Sequence, residues 1–188
     1  MKKLLLFAVV IAAMLAAACS NSKYKYETVK GDPLNTKIYT LDNGLKVYMS
    51  VNKETPRIQT YIAVNVGGKN DPAETTGLAH YFEHLMFKGT QQFGTSDFAA
   101  EQPMLDEIEN LFEVYRKTTD EAERAAIYHR IDSISYEASK IAIPNEYDKL
   151  MSAIGANGTN AFTSQDMTVY VEDIPSNEIA HWARIQAD

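Results

Sequence analysis

Residues 77–90 read GLAHYFEHLMFKGT and place two of the chain's four histidines around a glutamate. Residues at i, i+3 and i+4 share one face of a helix, so His80, Glu83 and His84 fall within about one turn. Two imidazoles one turn apart can reach a single ion at about 2 Å, and zinc favours nitrogen ligands of this kind. A carboxylate beside such an ion can accept the proton of a water attacking a carbonyl. Two ligands and one base are therefore most of a hydrolytic site. Ala79, Phe82, Leu85 and Met86 are expected to supply the apolar packing behind the polar three. The bland alternative is a surface helix with solvated histidines.

Upstream, KIYTLDNGLKVYMSV (37–51) carries two β-rich runs around Asp42-Asn43-Gly44, residues that accept the positive backbone angle of a tight turn. RIQTYIAVNV (57–66) reads as a third strand, with Ile58, Thr60, Ile62 and Val64 on one face, ended by Gly67-Gly68. Residues 69–76 read as loop.

Downstream, residues 97–143 have a different character. Met104, Ile108, Leu111 and Tyr115 recur at helical spacing, as do Ile127, Ile131, Ile134, Ala138 and Ile141. Thr118 to Glu121 offers a capping box between them, and Pro144 ends the pattern. The expectation is an antiparallel helical hairpin inserted at about 97–143. NAFTSQDMTVYVEDI (160–174) reads as extended chain, strongest from Thr168 to Val171, and Pro175-Ser176-Asn177 starts a further helix.

Lys2 and Lys3, an apolar run from Leu4 to Leu15, and Ala16-Ala17-Ala18 before Cys19 read as a secretory signal peptide over 1–18. Leu4 to Ala18 is shorter than the roughly 20 residues a transmembrane helix needs. Cys19 is the only cysteine, so no internal disulfide forms. Its setting resembles the lipobox of bacterial lipoproteins, with Leu15 one place further back than is common. Residues 19–35 then read as a tether from a lipidated Cys19. Ser20 after the cysteine is expected to favour the periplasmic face of the outer membrane. A signal peptide that merely ends near a cysteine is the alternative. The formal charge of −7, which becomes −9 without Lys2 and Lys3, argues against nucleic acid as partner.

His-x-x-Glu-His is the inverted zinc-peptidase motif. The whole of GLAHYFEHLMFKGT resembles the zinc helix of pitrilysin/insulinase-type metallopeptidases, a family that includes the mitochondrial processing peptidases. LDNGLKVYM (41–49) and GTNAFTSQDMTVYVEDIP (158–175) are similar to family segments in the same order. The resemblance implies an α+β domain over 36–188, with a largely antiparallel sheet and helices on one face. It implies Zn2+ bound by His80 and His84, with Glu83 as general base. It also implies that Asn160, Ala161 and Phe162 lie on a strand edge against which substrate peptide pairs; on turn chemistry alone, Asn160 could instead shape a turn after Gly158.

The family's third ligand is a glutamate on a helix beyond the one starting at Ser176. Glu137, Glu146, Glu172, Glu178 and His181 are the local substitutes, and none has a matching context. The expectation is therefore a front portion of a zinc metalloendopeptidase for unfolded peptides or protein fragments, truncated at 188 and inactive alone. A second homologous half or subunit would complete it. A non-catalytic peptide-binding partner subunit is the alternative, and the intact His80-Glu83-His84 set disfavours it.

Overall fold

A computed structural model describes residues 24–188. Cys19, the signal peptide and the first part of the tether lie outside the described residues. The chain separates into two compact units that divide between Thr55 and Pro56.

The first unit is a three-stranded antiparallel sheet of β1 (Tyr26–Thr28), β2 (Lys37–Thr40) and β3 (Lys46–Met49), in that order. β2 and β3 form the expected hairpin. Leu41 N donates to Leu45 O and Gly44 N to Leu41 O, with Gly44 at φ 88°, where a side chain would strain the turn. β1 lies in the stretch that reads as tether. Tyr26 pairs with Tyr39, their rings 5.5 Å apart, and the Lys37 ammonium sits over the Tyr26 ring. Those side-chain contacts make a strand of a segment with little apolar pattern.

In the second unit, β4 (Arg57–Val64), β6 (Thr168–Pro175) and β5 (Asn157–Thr163) form an antiparallel sheet in the order β4-β6-β5. Residues 160–174 are thus two strands joined by a tight turn, in which Ser164 N donates to Met167 O, rather than one extended run. Five helices accompany this sheet: α1 (Leu78–Leu85), α2 (Phe98–Lys117), α3 (Glu121–Ser139), α4 (Glu146–Ala153) and α5 (Ile179–Gln186). Both sheets are antiparallel, so the chain is α+β.

Helices α2 and α3 pack on each other through the two apolar stripes, burying Ile131, Ile134 and Ala138. At their base, Thr95 bridges to Ala142 and Ser96 N donates to Ile141 O. The cap of α3 is Asp120, whose carboxylate accepts from Glu123 N, and not Thr118. Thr118 instead closes α2 by donating its hydroxyl to Val114 O. Asp, nearer the helix by two residues, takes the exposed amide first. No helix among the described residues is long and apolar enough to cross a membrane.

The core forms where α4 meets β6. Tyr147, Met151 and Ile174 are buried with Phe93, and Ile58, Phe87, Leu150, Trp182 and Ile185 pack around them. α4 has the apolar spacing Tyr147, Leu150, Met151, Ile154 along one face. Glu172 lies fully buried in this core. Its carboxylate accepts from the hydroxyls of Tyr147 (3.0 Å) and Thr60 (3.1 Å) and from the Trp182 indole (3.2 Å). Burial raises the Tyr147 phenol well above its ordinary pKa, so it remains a donor. Glu172→Ala strands the Tyr147 and Trp182 donors, at about 1–3 kcal/mol each, while the Thr60 hydroxyl keeps the carbonyl of residue 172, 3.0 Å away. We expect it to destabilise the fold by about 3 kcal/mol, measured by denaturant unfolding followed at Trp182. A loss under about 1 kcal/mol would contradict this role.

Candidate metal centre

Helix α1 starts where the loop after β4 turns back. Asp71 bonds two of its first amides, accepting from Gly77 N at 2.6 Å and Ala79 N at 2.9 Å. Anionic oxygens at a helix N-terminus satisfy orphan donors and suit the helix dipole. Asp71 thus fixes where α1 begins. It lies seven residues before Leu78, within the stretch 69–76 that reads as loop.

The loop is itself pinned to the β5–β6 turn. Gly68 N donates to Ser164 O at 2.9 Å, and Lys69 N to Gln165 O at 3.0 Å. A Cβ on Gly67 would lie 2.4 Å from Ser164 O, so only glycine permits this approach.

On α1 the three motif residues do not share one environment. Glu83 is buried, together with Ala79, while His80 and His84 are exposed. Phe82 and Leu85, expected to pack inward, are exposed instead, at 59% and 38%. The inward stripe runs through Ala79, Glu83 and half-buried Met86, because positions at i, i+4 and i+7 face the sheet. A carboxylate is tolerated on that stripe because it has a partner: the Thr163 hydroxyl donates to Glu83 Oε2 at 2.5 Å.

His80 Nε2 and His84 Nε2 face each other at 3.2 Å, one donating to the other according to tautomer. Two nitrogens bound to one tetrahedral zinc at about 2.0–2.1 Å lie about 3.3 Å apart. The separation of the pair therefore matches that of two ligand nitrogens on one zinc ion. Among the described residues no group of three or more His, Cys, Asp or Glu side chains is gathered for a metal.

The local substitutes are engaged elsewhere. Glu137 pairs with Lys140, Glu146 accepts from Gly94 N, and Glu178 bonds His181. Glu172 belongs to the core network described above.

Asn160, Ala161 and Phe162 lie on β5, opposite Val171, Tyr170 and Val169 of β6. β5 is an edge strand of this sheet, and it borders α1 through Thr163. Tyr170, on β6, has its phenol pKa raised by burial and by the Glu83 charge. Phe162 is half-exposed. Thr163 and Asp71 are the site residues that motif reading passed over. Thr163 follows Phe162 directly in sequence, but its contact with Glu83 spans 80 residues, and no local pattern announces it.

Residues 46–107 match the family model described as Insulinase (Peptidase family M16). An insulin-degrading enzyme homolog of Dictyostelium discoideum is 33% identical over 73 residues, covering 39% of this chain and 6% of the relative. Protease 3 of Escherichia coli (strain K12) is 26% identical over 155 residues, covering 81% of this chain and 15% of the relative. The crystal structure of pitrilysin has a similar fold, with TM-score 0.52 and 16% identity over 88% of this chain and 13% of that one. The chain thus spans 6% and 15% of the lengths of these two relatives.

Proposed function

Because this chain belongs to the pitrilysin/insulinase-type peptidase family, we propose that its protein is a zinc-dependent endopeptidase acting on unfolded peptides. The observation that carries this reading is the 3.2 Å approach of His80 and His84 beside a buried, hydrogen-bonded Glu83. His80 and His84 hold Zn2+. A carboxylate from outside residues 24–188 adds the third ligand, since catalytic sites usually have three from protein. Residues 24–188 alone are then inactive, and a further homologous half or subunit completes the enzyme.

Zinc, when bound, supplies the Lewis acidity that makes water nucleophilic near neutral pH. Glu83 takes the proton of the attacking water and delivers it to the departing amine, so one carboxylate serves as base and then acid. β5 binds the substrate backbone. Asn160, Ala161 and Phe162 pair with the peptide as an added strand at the sheet edge. Main-chain pairing reads no particular side chain, which suits substrates of many sequences.

The test is hydrolysis of an unfolded peptide by the full-length protein. A chelator is expected to stop cleavage and stoichiometric zinc to restore it. Cleavage that persists after complete metal removal would refute the zinc reading.

The sequence before the described residues supports a location. We place the enzyme in the bacterial cell envelope, anchored by a lipidated Cys19 to the periplasmic face of the outer membrane. Cys19→Ser is expected to move it to the soluble periplasmic fraction. Wild-type protein already soluble there would contradict the anchor.

A further inference from the structure

Glu83 is fixed from outside its own helix. Its Oε2 accepts from the Thr163 hydroxyl at 2.5 Å, at the end of β5. Thr163 Oγ1 lies 3.3 Å from Thr168 Oγ1, the first residue of β6 and its partner in the sheet register. Thr168 is 5% exposed and donates in turn to Val66 O at 3.0 Å, in the segment leaving β4. Thr168 has one proton and gives it to Val66. Toward Thr163 its oxygen therefore offers only lone pairs. Thr163 likewise has one proton, and the ionised carboxylate is the shorter and stronger acceptor for it.

Two chain segments thus meet at one carboxylate oxygen: α1 carries Glu83, and β5 carries Thr163, whose place is set by strand pairing with Thr168 of β6. Among the described residues, the hydrogen bond made by the Glu83 side chain is the one from Thr163, so this hydroxyl sets where the carboxylate points. General-base transfer works only within hydrogen-bond reach of the proton, which makes that aim part of the rate. Groups that orient a reacting side chain in this way at metal sites are typically worth 10–100-fold when removed.

We propose that Thr163, held in place by the pairing of β5 with β6, is a positioning residue that aims the Glu83 carboxylate at the attacking water. This rests on the reading of Glu83 as general base. It also ties the substrate strand to the base, because Thr163 adjoins Phe162 at the end of β5.

The experiment compares Thr163→Val, which keeps shape and removes the hydroxyl, with Thr163→Ser, which keeps the hydroxyl, in the full-length zinc-loaded protein. Thr163→Val is expected to lower kcat by about 10–100-fold, with KM and zinc stoichiometry within about twofold of wild type. Thr163→Ser is expected to restore kcat to within about threefold. A second readout uses the metal-free protein: the infrared carboxylate band that disappears in Glu83→Gln is expected to shift in Thr163→Val and stay in Thr163→Ser. A wild-type kcat in Thr163→Val, or an unmoved band, overturns the proposal, as does a serine variant no better than valine. If Glu83→Gln itself cleaves at the wild-type rate, the base assignment fails first. If Glu83→Gln is dead and Thr163→Val is wild-type, only the role of the hydroxyl fails.

Discussion

Glu83→Gln is expected to lower the kcat of the full-length enzyme by about 1000-fold or more while leaving zinc bound. Removing a general base typically costs between 10²- and 10⁴-fold. Gln has nearly the same shape and can still accept from Thr163 through its amide oxygen, so the buried site on α1 keeps its packing and its hydrogen bond. It cannot take a proton at neutral pH. The histidine pair is untouched, since both rings lie on the exposed side of the helix while Glu83 lies inside. Rate and metal content should therefore separate. Substantial hydrolysis by the variant, measured with metal content determined on the same sample, would remove Glu83 from the base role.

His84→Ala is the complementary case, in which rate and metal fall together. One of two nitrogens poised 3.2 Å apart is lost, and the remaining imidazole has no partner on α1. Zinc binding is expected to weaken by more than about 100-fold, beyond the effect of altering a group behind a ligand. Hydrolysis should fall in proportion to the zinc lost. Because His84 is exposed, the helix itself should remain folded, which circular dichroism would check. Retention of tight zinc by His84→Ala would mean that the metal is held by other residues.

Much of this was legible because the signals were local. The apolar stripes of α2 and α3, the Asp42-Asn43-Gly44 turn and the His80-Glu83-His84 spacing each lie within a few turns of chain, where periodicity is informative. What escaped were features decided by distant partners. α4 is only eight residues long, and its start at Asn145 has a left-handed backbone with no side-chain cap. Its helix is stabilised by packing Tyr147 and Met151 into the core, though the spacing of Tyr147, Leu150, Met151 and Ile154 did offer a clue. β1 depends on Tyr39 across the sheet. The helical face of α1 was assigned from polarity, which put Glu83 outside with the histidines. Its partner on β5 reverses that assignment, and a sequence read locally has no access to such a partner. The same reason hid Asp71, whose capping role arises from a loop that folds back on the helix.

Zinc K-edge X-ray absorption on the zinc-loaded full-length protein would show whether His80 and His84 hold the metal. The expected first shell includes two imidazole nitrogens at about 2.0–2.1 Å, unchanged in Glu83→Gln and reduced to one or lost in His84→Ala. A first shell without imidazole scattering, or one that His84→Ala leaves intact, would contradict that assignment.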